Sequence, residues 1–203
     1  MVIPWVSDAS LSQLIDVTFP NLVENARNRD YVVNRALITP LNEYVEKLDD
    51  RVLSIFPGKE VIFYSFDYVD DDTHGLYKQE YLNNIAPGCL SSHILKLKIG
   101  APIMLLPNVY AKNGLCNNDT RLIIKEFLQN CIDDVIISGN YMGTRVFIHR
   151  MPLEPSENLK LPYKFKRKQF PICLCFAFTV NKVQGRTIEN TGIVFIEHVF
   201  SHG

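Results

Sequence analysis

Ala177-Phe-Thr-Val-Asn-Lys-Val-Gln-Gly-Arg-Thr187 is the stretch from which the rest of the chain can be read. Residues 170–178 before and into it form a short apolar run bounded by Pro171, with the length and composition of a buried strand. That strand is expected to end near Thr179. A hydroxyl, an amide, a lysine, a glutamine and a glycine then follow within seven residues, where a core strand brings the chain to the surface. In open α/β sheets ligands bind at such carboxyl ends, because the strand fixes the backbone while the turn after it exposes N–H groups and polar side chains. Gly185 permits close approach of a backbone or a phosphate. The plainer alternative is a strand, a polar turn and a helix start, in which Thr179 caps the helix and Gln184 satisfies backbone groups.

Working outward, the same α/β texture appears upstream. Residues 35–39 form a short strand candidate, and Thr39-Pro40 supplies a helix N-cap followed by proline at the first helical position. Leu41, Val45, Leu48, Val52 and Ile55 then recur at helical spacing until Pro57-Gly58 stops the helix. A strand followed by a covering helix is a βα unit of a mainly parallel sheet. Earlier still, residues 11–17 and a segment starting near Asn21 have helical character. Residues 61–69 read as a further strand, ending in the acidic turn Asp70-Asp71-Asp72, and 191–196 as a last core strand. A run of carboxylates does not impose the geometry of a metal cage, so the turn is read as solvated.

From residue 94 the texture changes to closely spaced strand candidates at 94–99, 102–106, 120–128, 135–138 and 144–149, without helices between them. That pattern is a small antiparallel barrel or meander inserted in the α/β layer. Residues 152–162 read as a polar, proline-rich linker. Lys160-Leu-Pro-Tyr-Lys-Phe-Lys-Arg-Lys168 follows, with Tyr163, Phe165 and then Phe170 interleaved among the basic residues. Cations that neutralise phosphates, alternating with rings that offer stacking surfaces, are what single-strand binding sites use. Lys166, Arg167 and Lys168 are therefore candidate phosphate contacts; an import signal or a plain solvated face is the alternative.

Composition narrows the classes. At 203 residues, 47% hydrophobic and 21% charged, the chain has globular composition. No apolar run reaches the roughly 18 residues that span a bilayer, and no basic segment leads a hydrophobic one at the amino terminus. An intracellular setting without a membrane partner is expected, the nucleus first and the mitochondrion as the alternative. The five cysteines are odd in number and contain no Cys-x-x-Cys pair, so neither a disulfide framework nor a metal site is indicated, and buried free thiols are expected. The net charge of −1 hides a division: residues 1–86 carry 7 Lys and Arg against 14 Asp and Glu, and residues 87–170 carry 12 against 6. The basic middle is suited to facing a polyanion.

Thr179-Val-Asn-Lys-Val-Gln-Gly-Arg-Thr187 resembles motif V of the RecD-like branch of superfamily 1 helicases, and more closely that of the Pif family of ATP-dependent DNA helicases. Asn181 in place of the usual His is also met in the versions carried by Helitron transposons. Further stretches match in order: Arg35-Ala-Leu-Ile-Thr-Pro-Leu-Asn-Glu43 resembles motif IV, and Tyr64-Ser-Phe-Asp67 the strand after it. Leu95-Lys-Leu-Lys-Ile-Gly-Ala-Pro-Ile-Met-Leu-Leu106 and Asn113-Gly-Leu-Cys-Asn117 are similar to the inserted 2B domain, an SH3-like β-barrel, and Gly143-Thr-Arg-Val-Phe-Ile148 and Arg167-Lys-Gln-Phe-Pro171 complete the series.

The resemblance implies an α/β fold, a partial RecA-like parallel sheet (domain 2A) interrupted by an SH3-like β-barrel (domain 2B). The implied limits are 1–86 and 161–203 for 2A and 87–160 for 2B. It implies DNA-backbone contacts from Thr179, Asn181 and Lys182, and coupling to nucleotide through Gln184, Gly185 and Arg35. The family's Gly-x4-Gly-Lys-[Ser/Thr] phosphate loop and acidic Walker B strand do not occur in the sequence. Val199-Phe-Ser-His-Gly203 resembles the lead-in to motif VI without its arginine. The expectation is the carboxyl-terminal part of a helicase that moves 5' to 3' on single-stranded DNA. ATP and Mg2+ would serve the intact enzyme and neither would bind this chain alone. The missing domain 1A would be a partner, and the isolated chain would not hydrolyse ATP. The alternative is a non-enzymatic single-stranded DNA-binding remnant of a Helitron-type protein.

Overall fold

The computed structural model describes residues 8–70, 72, 76–85, 90–106, 120–155, 161–183 and 188–195. Gln184, Gly185, Asn113-Gly-Leu-Cys-Asn117 and Val199-Phe-Ser-His-Gly203 lie outside them, as do Asp71, Cys89 and Cys116. The chain divides into two compact units, Met1–Gly58 with Gly100–Pro102 and Leu174–Gly203, and Lys59–Ile99 with Ile103–Cys173. The limits read from the sequence, 86/87 and 160/161, both fall inside the second unit.

The first unit is a layer of helices on a parallel sheet. Strand β1 (Arg35–Thr39) pairs in parallel with β12 (Ala177–Thr179) on one side and β13 (Asn190–Ile193) on the other. Helix α1 (Asp8–Thr18) packs on β13 and β1, and α4 (Asn42–Ile55) on β12 and β1. Phe176, at the entry to β12, meets Phe19 edge-on at 6.1 Å between ring centroids and Phe56 at 5.5 Å, joining the ends of both helices in one core. Burial of rings of this size supplies much of the driving force for such a layer. Gly192 lets α1 lie directly on the sheet: a Cβ there would run into Thr18 Oγ1 and come within 2.9 Å of Leu37 Cδ2.

Two local readings of this unit change. Thr39 does not cap α4; the helix begins at Asn42 after an extended Leu41 that offers no side-chain cap, and Pro40 stands outside the helix. The apolar run at 170–178 is two strands, β11 (Ile172–Leu174) and β12, which belong to different sheets. Asp49 explains the break. Its Oδ1 accepts the backbone N–H groups of Phe176 (2.9 Å) and Ala177 (2.8 Å), occupying donors at the junction. The stop of α4 is as read: Phe56 N–H closes on Val52 O at 2.9 Å, and Gly58 takes φ +105°.

The second unit is built of short β-ribbons. Strands β2 (Val61–Tyr64) and β4 (Ile94–Leu97) form an antiparallel pair, and β3 (Phe66–Val69), β10 (Phe165–Gln169) and β9 (Met151–Leu153) form a second sheet in the order β3-β10-β9. A five-stranded sheet runs β11-β5-β6-β7-β8, with β5 (Pro102–Leu105), β6 (Arg121–Phe127), β7 (Cys131–Ile136) and β8 (Arg145–His149). Ile132 and Ile136 of β7 are buried, as are Leu122 and Ile124 of β6; the strand expected at 135–138 starts four residues earlier, at Cys131. The strand expected at 61–69 is two, divided at Ser65, and part of the expected 152–162 linker is β9. Among the described residues Cys131, Cys173 and Cys175 form no disulfide; of these three Cys175 is buried and the other two are half-buried.

Candidate nucleic-acid interface

The parallel sheet brings the carboxyl ends of β1 and β12 side by side, with Thr39 paired in register to Thr179. Both threonines are buried, and among the described residues Thr39 Oγ1 has no hydrogen-bond partner. Directly after Thr179 the chain turns through the single helical turn α6 (Val180–Val183), which exposes Val180, Asn181 and Lys182. An amide and an ammonium on a rigid strand end can contact successive phosphates of a nucleic-acid backbone, the lysine as a mobile point charge. Gln184 and Gly185, read as nucleotide-coupling residues, fall outside the described residues.

Arg35 is not on this edge. It begins β1, whereas Thr39 ends it, so the two are separated by the length of the strand, about 13 Å at 3.3 Å per residue. Its guanidinium lies 4.2 Å from the centroid of the Tyr31 ring and donates from Nη1 to Tyr31 O at 3.2 Å. Burial pushes the Tyr31 phenol up to about 12. Stacked and bonded in this way, Arg35 lies at the opposite end of β1 from the Thr179–Lys182 edge. The described residues contain no Gly-x4-Gly-Lys-[Ser/Thr] phosphate loop. Among them no three of His, Cys, Asp and Glu converge as metal ligands.

In the second unit, β10 divides the basic stretch by strand alternation. Phe165, Arg167 and Gln169 point inward and are buried, while Lys166 and Lys168 point outward. Arg167 therefore is not a phosphate contact. Its Nε and Nη2 grip both oxygens of Asp67, and its remaining N–H groups bond Ser91 O, Leu82 O and Asn83 O. A buried guanidinium requires this degree of satisfaction. Lys166 is outward but bonded to Asp70 at 2.6 Å, with Glu154 at 3.5 Å, and the Asp70 bond holds its ammonium above the usual lysine value. Lys168 is exposed, and among the described residues no carboxylate lies within ion-pair distance of it. The rings interleaved in sequence are not a stacking row either: Phe165 and Phe170 are core, and Tyr163 hydrogen-bonds Tyr81 at 2.9 Å.

Two residues that position the site escaped the sequence reading. Asp49 shares a helical face with Val45, Val52 and Leu53, so a carboxylate on an apolar stripe was the available signal. Burial drives its carboxyl well above the ordinary range. Thr39 was assigned to capping, and its pairing with Thr179 depends on strand register, which sequence does not specify.

Comparison with known proteins agrees with this fold. Residues 80–127 match the family model described as DNA helicase Pif1, 2B domain. The chain is similar to the crystal structure of the Bacteroides Pif1 helicase in complex with ADP-AlF3 and ssDNA, with TM-score 0.58 and 19% identity over 96% of this chain and 41% of that one. It is similar to the Candida albicans Pif1 helicase, with TM-score 0.53 and 18% identity over 87% and 46%. A structure of two coordinating Pif1 helicases at forked dsDNA aligns at TM-score 0.57 and 19% identity over 93% and 37%. No curated protein matches the chain in sequence. The chain thus has a Pif1-helicase-like α/β fold and spans roughly two fifths of the length of these helicases. Assignment to the Helitron-associated branch rests on Asn181 alone.

Proposed function

We propose that this chain is the DNA-gripping portion, domains 2A and 2B, of an ATP-dependent helicase that moves 5' to 3' along single-stranded DNA. The observation that carries the reading is the exposed Asn181–Lys182 turn at the carboxyl end of β12, beside Thr179, in a chain whose residues 80–127 match the Pif1 2B domain. The fold likeness supports it, and two of the similar Pif1 structures are complexes with ssDNA. In this reading Lys182 and Asn181 hold the strand's backbone, and Thr179 fixes the turn that presents them. ATP and Mg2+ would be held chiefly by a domain 1A, with Gln184 and Gly185 transmitting nucleotide closure to the grip. This chain's own residues bind and orient the strand; the phosphate chemistry belongs to the intact enzyme, in a nuclear setting.

Two assays test the reading. The purified chain is expected to bind single-stranded DNA in a salt-dependent way, weakened by Lys182→Ala, and to hydrolyse no ATP. Steady ATP turnover by the chain alone, abolished by no substitution at Lys182, would contradict the division of labour proposed here.

A further inference from the structure

The second unit carries an aromatic and basic face that the proposed grip does not use. Along residues 61–68 burial alternates without interruption through Ser65, so that Ile62, Tyr64, Phe66 and Tyr68 share one side. Ser65 N–H to His93 O at 2.9 Å keeps the backbone paired across the junction of β2 and β3. Tyr64 is 59% exposed and Phe66 63%, and Phe66 and Tyr68 have ring centroids 6.0 Å apart with planes 36° from parallel. Residues directly opposite in antiparallel pairs share a face. Lys168 is opposite Phe66, Lys166 opposite Tyr68 and Lys96 opposite Ile62. Asp70 and Glu154 offset Lys166, which leaves exposed Lys168 as the cation beside the Phe66 ring.

We infer that this face is a stacking platform for the bases of an unpaired nucleic-acid strand, with Tyr64 and Phe66 as the rings and Lys168 as the phosphate contact. Exposed rings of this size on a sheet are costly in water unless they meet a flat apolar partner, and the adjacent ammonium selects an anionic one. Bases within a duplex have no free face to offer, so the platform favours single strands. The inference rests on the same reading of the chain as a nucleic-acid binder, but not on Lys182.

The test titrates the full chain with oligothymidylate and with an abasic oligomer carrying the same number of phosphates. Wild type should prefer the thymidylate by about five- to a hundredfold. Tyr64→Ala/Phe66→Ala should abolish that preference, Phe66→Trp should restore it with ring emission quenched on binding, and Lys182→Ala should weaken both oligomers and keep the preference. Retention of the base preference in the double alanine variant overturns the platform and leaves the Lys182 grip standing, the face then packing against protein. Equal binding of both oligomers by wild type likewise overturns it. Failure of the folded wild-type chain to bind either oligomer overturns both readings.

Discussion

Arg167 and Asp67, directly opposite each other on β10 and β3, form a buried two-pronged ion pair, with Nη2–Oδ2 at 2.7 Å and Nε–Oδ1 at 2.9 Å. Their side chains are 1% and 0% exposed. Further bonds from the guanidinium to Ser91 O, Leu82 O and Asn83 O tie α5 (Gln79–Asn83) and the segment before β4 to the same sheet. Removing one partner strands a charge in the interior, which costs about 3–5 kcal/mol. Arg167→Ala should therefore be read in chemical denaturation as a large loss of stability. Partly unfolded protein, rather than one missing phosphate contact, would account for any loss of DNA binding in that variant. A variant as stable as wild type would contradict this assignment.

Asp49 holds the end of one strand and the start of the next. Each of the N–H groups of Phe176 and Ala177 left without its acceptor should cost about 1–3 kcal/mol. Asp49→Leu should thus lower stability and hydrogen-exchange protection at those two amides, whereas Asp49→Asn, which keeps an acceptor oxygen, should change both little. Because β12 positions Thr179 and the turn after it, Asp49→Leu should also weaken DNA binding.

Asp134 lies fully buried on β7, with neither carboxylate oxygen hydrogen-bonded, among the inward residues Ile132 and Ile136. Burial, helped by the neighbouring Asp133, raises its pKa to about 8. The folded state therefore keeps the proton at pH values where the unfolded chain, near 3.9, has lost it. Stability should fall as pH rises from about 4 to about 8 and then level off. Asp134→Val should reduce that dependence, leaving the part that buried Asp49 contributes, and stabilise the protein by about 1–4 kcal/mol near neutral pH. Thermal melts across this pH range give the answer; an unchanged slope would show that Asp134 is not the group responsible.

Gly192 gives a steric test of the α1–sheet packing. Gly192→Ala forces Thr18 and Leu37 to turn aside or α1 to lift from β13, and should cost about 1–3 kcal/mol, since their side chains occupy the space a methyl would need. A neutral result would mean that these side chains yield to the methyl and that the packing there is not tight.

The periodic features were legible in the sequence and the relational ones were not. Strand β1 ends at Thr39 and β12 at Thr179 as read, because apolar runs and the polar residues after them mark where a strand leaves the core. Leu48, Val52 and the Pro57-Gly58 stop likewise fixed the body of α4. Arg167 was misjudged because a basic run looks the same whether its strand is exposed or half-buried. Only the pairing of β10 with β3 sends Arg167 to Asp67 and Lys168 to the surface. The break at Cys175–Phe176 depends on Asp49, 127 residues away from Phe176 in the chain, and no local pattern could announce it. Proline at position 40 misled for a related reason: its preference for the first turn is local, whereas Leu41 after it stays extended and the helix starts only at Asn42.

The most direct measurement is single-stranded DNA binding by the purified chain across a range of salt concentrations, with Lys182→Ala alongside. The grip proposed at the end of β12 requires affinity that falls with salt and a slope in the variant reduced by about 0.7, the share of one phosphate on a single strand. Binding by wild type with the same slope and affinity in Lys182→Ala would contradict it, because the strand would then be held somewhere other than the turn after Thr179.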